Sequence, residues 1–311
     1  MQYMNNIPMK TNPVVGVDIG GSHITAALVD TTTGSLLHDS LVRRSVDPHA
    51  DAGTILHTWH TTIQQAARSF KTTPYEVGIA MPGPFDYEKG ISHIKGFNKY
   101  ESLYGMNVKE WLAKALNISP AYIRLKNDAV AFLLGEAAFG AAKGYHKPAG
   151  LTLGTGLGSA RLHGQEAEIC DVNISPLHEG RAEDYISIRW FLHRYQSLTS
   201  NKAPNVQYIA ERIARETAAA QIFSEFAANL AIVLERFIEA EQPDIVVLGG
   251  GIANAFDHFF PAVQQQLHAR IPIRRATLGE AAAMAGAAST LHHTEQQNTL
   301  PLTQQNQPTH L

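Results

Sequence analysis

The stretch VVGVDIGGSHITAALVD, residues 14–30, decides the fold reading. Val14 to Ile19 and Ile24 to Val29 are apolar, β-branched runs, and Gly20 and Gly21 turn the first into the second. Asp18 stands near the end of the first run and Ser22 follows the glycines. Glycine lets backbone N–H groups approach a phosphate closely, Ser22 adds a hydroxyl donor, and Asp18 can hold a metal ion through water. The same residues also suit a hairpin that binds nothing.

The pattern returns in LTLGTGLGSA, residues 151–160, where Gly154, Thr155, Gly156, Leu157 and Gly158 separate a strand Ala149 to Leu153 from a strand Ser159 to Leu162. Two such turns, one in each half, predict a nucleotide clamped between two similar domains. A third glycine turn, Gly249, Gly250 and Gly251, ends the apolar run Asp244 to Leu248. It can border a flat ring such as adenine, or serve as a plain strand-to-helix turn. No stretch reads G-x-x-x-x-G-K-[ST]. The second turn is spaced G-x-G-x-G and is followed by a strand, which argues against a dinucleotide fold.

Around these turns strands alternate with helices, which makes the fold class α/β. Leu36 to Val42 reads as a third strand and Val77 to Met81 as a buried one. Ile55, Trp59, Ile63, Ala66 and Phe70 fall on one helical face. Helices are also predicted over 107–116, 128–139, 182–195, 206–216, 217–241 and 253–267, and Tyr122 to Leu125 reads as a short strand. The Ile118, Ser119, Pro120 interruption places a boundary between an N-terminal α/β domain, 1–120, and a C-terminal one, 121–291. Residues 1–13 are expected to be flexible, and the polar 292–311 to form a disordered tail.

The chain has 311 residues, 44% of them hydrophobic, which suffices for two cores. A net charge of -3 without a basic block gives no footprint for nucleic acid, and no apolar run suggests a membrane span. Cys170 is the only cysteine, so an intramolecular disulfide is impossible. With no apolar signal stretch before Val14, the expected location is the cytoplasm.

Six segments, in order, resemble the ROK family of bacterial sugar kinases and sugar-responsive repressors. They are VVGVDIGGSHITAALVD at 14–30, IAMPGPFD at 79–86, KNDAVAFLLGEAAFG at 126–140, LTLGTGLGSA at 151–160, DIVVLGGGIA at 244–253 and LGEAAAMAGAAS at 278–289. The resemblance implies a two-domain, actin-like (ribonuclease H-like) ATPase fold with a cleft between the domains. It also implies ATP with Mg2+ in that cleft and transfer of the γ-phosphoryl group to a sugar hydroxyl. Asp128 is then the catalytic base, and Asn127, Asn98 and Glu183 grip sugar hydroxyls. A homodimer is common in the family.

This chain departs from the family in lacking the three cysteines of its zinc-binding loop, and the interval from Gly158 to Glu183 looks shortened. No zinc site is therefore expected, and Glu168 or His178 stands as a candidate for the vacated sugar contact. From the residues alone, Asp128 is a helix cap, with Asn127 as the alternative cap; the motifs around it raise it to a base. Its place in a first helical turn predicts a readily ionised carboxyl. A repressor would need a DNA-binding segment, for which the 13 residues before the first strand leave no room. A catalytically silent sugar or nucleotide binder and another kind of actin-like ATPase remain as alternatives.

Overall fold

The computed structural model describes residues 14–69 and 75–298. β1 (Val14–Ile19), β2 (His23–Val29) and β3 (Leu36–Ser45) form an antiparallel meander, with a register shift between Ala26 and Leu28. Asp51 caps α1 (Ala52–Ala66) by accepting from the Thr54 N–H at 3.0 Å. Ile55, Trp59, Ile63 and Ala66 are buried as their spacing predicts, while Phe70 lies outside the described residues. β4 (Glu76–Met81) then runs parallel to β1. A short hairpin, β5 (Phe85–Asp86) with β6 (Ile91–Ser92), and α2 (Val108–Leu116) lead to β7 (Ile123–Asn127), parallel to β4. The sheet order is β3-β2-β1-β4-β7.

α3 (Asp128–Phe139) leaves β7 directly, and the plan begins again. β8 (Pro148–Leu153), β9 (Leu157–His163) and β10 (Glu166–Ile169) make a second antiparallel meander. The hairpin β11 (Pro176–Leu177) with β12 (Gly180–Arg181) precedes α4 (Ala182–Tyr185), α5 (Ile188–Thr199), α6 (Val206–Ala210) and α7 (Thr217–Glu241). β13 (Ile245–Gly249) lies parallel to β8 and is followed by α8 (Phe256–Gln266) and β14 (Ile273–Arg275), parallel to β13. The order β10-β9-β8-β13-β14 repeats that of the first sheet, element for element. α9 (Ala281–Asn298) returns to pack on β1 and β4 and across α3.

Several expectations shift. Ser187 is extended and caps α5 through the Trp190 N–H, so the single helix expected over 182–195 is two. α6 ends at Ala210, and α8 starts at Phe256 after a 3-10 turn over Gly251–Ala255. By sheet membership β7 belongs with the N-terminal half, although the expected boundary at 120 assigns it to the second. The helical α9 runs to Asn298, seven residues into the tail expected to be disordered. Leu291, Glu295 and the two glutamines after it favour helix, and the next proline is Pro301. Residues 1–13 and 299–311 lie outside the described residues. α7 is the one helix among the described residues long and apolar enough to cross a membrane; its apolar stripe, including Phe223, Phe226 and Leu230, is packed in the core of the second half.

Candidate active site

Parallel strands present their chain ends at one edge, and in open α/β sheets ligands bind outside the carboxyl ends of such strands. Asp18, Ala80 and Lys126 stand in register on β1, β4 and β7. The Gly20–Ser22 turn, the Pro82–Pro84 loop and Asp128 therefore open from the same edge of the first sheet. In the second sheet the 154–156 turn follows β8 and the glycine triplet closes the parallel β13.

Asn127, the residue between strand and helix, is the cap of α3. Its Oδ1 accepts from the N–H groups of Ala129 at 3.0 Å and Val130 at 3.3 Å, and its Nδ2 donates to the Tyr87 hydroxyl at 3.2 Å. Capping thus takes the amide oxygen, and one amide N–H remains for a ligand. Asp128 is half-buried and its Oδ1 accepts from the Ala129 N–H at 2.9 Å. Burial pushes its carboxyl above the usual carboxylate range, against the opposing pull of the Ala129 N–H and the positive charge of Lys99. This corrects the expectation from the helix terminus: desolvation outweighs the dipole, and Asp128 becomes a stronger base than a surface aspartate.

Asp18 faces the same problem. Its carboxyl is pushed from the usual 3.8 up to about 7, first by burial and then by the negative charge of Asp128, with Arg43 pulling the other way. A carboxyl made costly by burial and by the neighbouring charge of Asp128 offers hard oxygen donors to a divalent cation, a chemistry that fits Mg2+. The raised pKa also sets a pH dependence. Between about pH 4 and pH 7 the folded chain keeps a proton that the unfolded chain has lost, so stability falls as pH rises through that window. Asp18→Asn removes the penalty. Without ligands, the variant should match the parent near pH 3.5 and exceed it at pH 8 by on the order of 2–4 kcal/mol. Urea midpoints at the two pH values read the difference, and equal gains at both would contradict it.

Asn98 is exposed, in the left-handed region at φ 55°, with its backbone N–H bonded to Glu101 Oε1 at 2.9 Å. Glu183 leans onto the second phosphate turn. Its Oε2 accepts from the Leu157 N–H at 2.9 Å, its Oε1 pairs with Arg189 at 2.7 Å, and a Cβ on Gly156 would stand 2.6 Å from Oε2. Glu168 lies on the edge strand β10 in an exposed ion pair with Arg161 at 2.7 Å, and Arg161 also holds Glu241. The structure brings Glu168 together with those residues, not with Asp128. His178 is exposed in the β11–β12 turn, bonded through Nε2 to Asn229 Oδ1 of α7 at 2.7 Å, its ring edge-on to Tyr185.

The glycines divide by role. In the first turn Gly20 closes the hairpin, its N–H donating to the His23 carbonyl at 2.9 Å, while Gly21 and Ser22 are exposed. In the second, the Gly154 N–H donates to the Gly156 carbonyl and Thr155 is exposed at the tip. Gly249 is required by packing, because a side chain there would run into the Phe132 ring. Gly250 has φ 86°, and its Cβ would meet the Leu153 carbonyl at 2.5 Å. Gly251 alone of the triplet lines a cavity of about 620 Å3, shared with Asn205, Gln207, Asn254, His258 and Arg275. Arg275 donates to Asn254 Oδ1 at 3.0 Å, which occupies the amide oxygen and leaves the amide nitrogen as a donor. Sequence reasoning missed these polar residues, and Tyr87 and Lys99 with them. The last two each directly follow a position already singled out, Tyr87 after IAMPGPFD and Lys99 after Asn98.

The family model for the ROK family matches residues 14–172 and 178–294. The match breaks at the stretch between β10 and β12 that looks shortened in the sequence. An N-acetyl-D-glucosamine kinase from Yersinia enterocolitica is 27% identical over 311 residues, covering 88% of this chain and 97% of that protein. An N-acetylgalactosamine kinase from a Shewanella species is also 27% identical, covering 89% and 96%. Among solved structures, a ROK family glucokinase from Streptomyces griseus in complex with glucose and AMPPNP superposes with a TM-score of 0.74 at 21% identity, covering 90% of this chain and 99% of that one. That likeness extends the repeated-sheet architecture to the actin-like kinase fold. With a family match over nearly the whole described chain, and the family's motifs at the carboxyl ends of both sheets, this chain belongs to the ROK family.

Proposed function

We propose that this chain is an ATP-dependent sugar kinase in which Asp128 takes the proton of the attacking hydroxyl. The observation that carries the reading is the raised Asp128 carboxyl at the start of α3, on the same sheet edge as the Gly20–Ser22 turn. Phosphoryl transfer asks for positioning and charge neutralisation more than covalent help. As the sugar oxygen bonds to the γ-phosphorus, its proton passes to an Asp128 oxygen, and the bond from that phosphorus to the bridging oxygen breaks to leave ADP. Asp128 would orient the hydroxyl, and its raised basicity favours taking up the proton.

Gly21, Ser22 and Thr155 offer exposed turn positions for polyphosphate, and the cavity beside Gly251 has the size and polar rim for a nucleobase and ribose. Asp18 would hold Mg2+ through water, and the ion would neutralise charge on the phosphates. Asn98 and the remaining amide N–H of Asn127 are left to the sugar. Glu183 is assigned chiefly to bracing the 154–158 turn, because both of its oxygens already have protein partners.

The relatives named for N-acetylglucosamine and N-acetylgalactosamine make N-acetylhexosamines the first substrates to test, ahead of glucose. The test is coupled ADP release over a panel of both classes, with and without sugar. ADP that appears only with sugar supports the kinase. Sugar-independent ADP indicates another ATPase, and binding of sugar and nucleotide without turnover indicates a silent binder.

A further inference from the structure

The loop that carries Asn98 is tied to the first phosphate turn by a single buried side chain. Tyr100 is fully buried, its ring lies edge-on to Trp59 at 5.4 Å, and its hydroxyl donates to the Gly20 carbonyl at 2.6 Å. Its backbone N–H donates to the Pro48 carbonyl at 2.7 Å. Asn98 and Tyr100 both stand at φ 55°, on either side of Lys99. Asparagine tolerates that region, but a bulky aromatic residue enters it at a cost. The surroundings that hold Tyr100 there are the Trp59 contact, complete burial and the bond to Gly20.

The bond to Gly20 has a directional consequence. The Gly20 carbonyl and the Gly21 N–H belong to one planar trans peptide and point in opposite directions. A hydroxyl that fixes the carbonyl therefore fixes the aim of the Gly21 N–H, in an exposed turn where a Cβ on Gly21 would meet nothing within 4 Å. The Gly20 N–H is already held by the His23 carbonyl, so Tyr100 completes the clamp on this peptide. At the other end of the same short segment, the charge of Lys99 acts on Asp128. One short stretch thus links the acceptor loop to the phosphate donors, with the charge of Lys99 felt at the base.

We infer that Tyr100 is a positioning residue through which sugar held by the 94–104 loop orders the Gly20–Ser22 turn, so that bound sugar raises the affinity for nucleotide. The inference rests on the kinase reading above. By linkage, nucleotide raises the affinity for sugar by the same factor.

The measurement is calorimetric titration of AMPPNP with Mg2+, in the absence of sugar and with the panel's best sugar at saturation. In the parent chain sugar should tighten AMPPNP by about fivefold or more, the usual lower range of such coupling. Tyr100→Phe keeps the ring against Trp59 and removes only the hydroxyl, and should reduce the enhancement to within about twofold. Ser102→Ala loosens the same loop elsewhere, because Ser102 Oγ bonds the Ala50 carbonyl at 2.9 Å, and should leave the enhancement in place. A sugar-dependent kinase that shows no enhancement, or keeps it in Tyr100→Phe, overturns the inference and leaves the kinase reading standing. Equal loss in Ser102→Ala overturns it too, since loop loosening alone would then explain the effect. If Tyr100→Phe fails to fold, amide exchange in the parent decides: sugar alone should slow exchange at residues 20–22, and an unchanged rate there refutes the coupling. A chain that hydrolyses ATP without sugar loses both readings.

Discussion

Asp128→Asn should lower kcat by about a hundredfold or more while leaving AMPPNP affinity near that of the parent and, because it removes a carboxyl that burial makes costly, stability at neutral pH no lower than the parent's. The side chain is isosteric, and asparagine can still accept from the Ala129 N–H as Asp128 does at 2.9 Å, so the start of α3 should survive. What disappears is the only negative charge that α3 brings to the sheet edge. Its removal also relieves Asp18, whose second-largest upward push comes from Asp128, so the Asp18 carboxyl should titrate lower in the variant. That secondary effect reports only the lost charge; the fall in kcat with the start of α3 intact is what separates a base from a mere cap, whose substitution would cost about 1 kcal/mol. Initial rates with saturating sugar and ATP, paired with a carboxyl titration of Asp18 by NMR, read both effects. A kcat within tenfold of the parent would remove Asp128 from the reaction.

The parts of the site legible in the sequence are those fixed by short-range pattern. Two strand–glycine–strand turns could be read because continuous apolar runs flank glycines, and both appear as β1–β2 and β8–β9. Helix α7 was legible along its length, since its buried apolar stripe runs from Ala219 to Ile238. The repetition of the whole sheet plan was only half legible. β7 and β14, the last strands of the two sheets, are short, and nothing local to them says which sheet they join.

Features that depend on tertiary surroundings were not legible. The direction of the Asp128 pKa is one: the helix terminus pulls it down, but burial decides, and burial is a property of the assembled cleft. The glycine triplet is another. Its composition suggests a ligand surface along all three residues, whereas Phe132 and Leu153 account for Gly249 and Gly250. The cavity beside Gly251 draws Asn205, Gln207, Asn254 and Arg275 from separate segments with no shared motif. Glu168 and His178 were candidates through the resemblance and the vacated sugar contact, and in the fold each is engaged by a neighbour, Glu168 by Arg161 and His178 by Asn229.

The layer between the two sheets gives a second large effect. α3 packs on β8 and β9 and carries Asp128 at its start, α9 packs on β1 and β4, and the two helices cross through small residues. Ala80, Ala131 and Ala287 form a buried cluster there. A Cβ on Gly286 would overlap the Ala131 carbonyl oxygen and come within 2.5 Å of the Gly135 nitrogen, while one on Gly135 would overlap the Ala282 carbonyl. Backbone meets backbone at these points, so no rotamer change relieves the clash. Gly286→Ala thus sets two effects against each other. Helix propensity alone would make alanine stabilising by about 1 kcal/mol in the interior of α9. Overpacking against fixed backbone costs about 1–3 kcal/mol and sometimes more, and with two backbone contacts the upper end applies. The expected net result is a loss of about 2 kcal/mol, read as a lower urea midpoint with an unchanged m-value. Activity should fall as well, measured where the variant is still folded, because parting α3 from α9 moves Asp128 relative to Asp18. A Gly286→Ala chain as stable as the parent, with normal kcat, would mean that the crossing is loose and that the cleft's two carboxylates are not held in place by these helices.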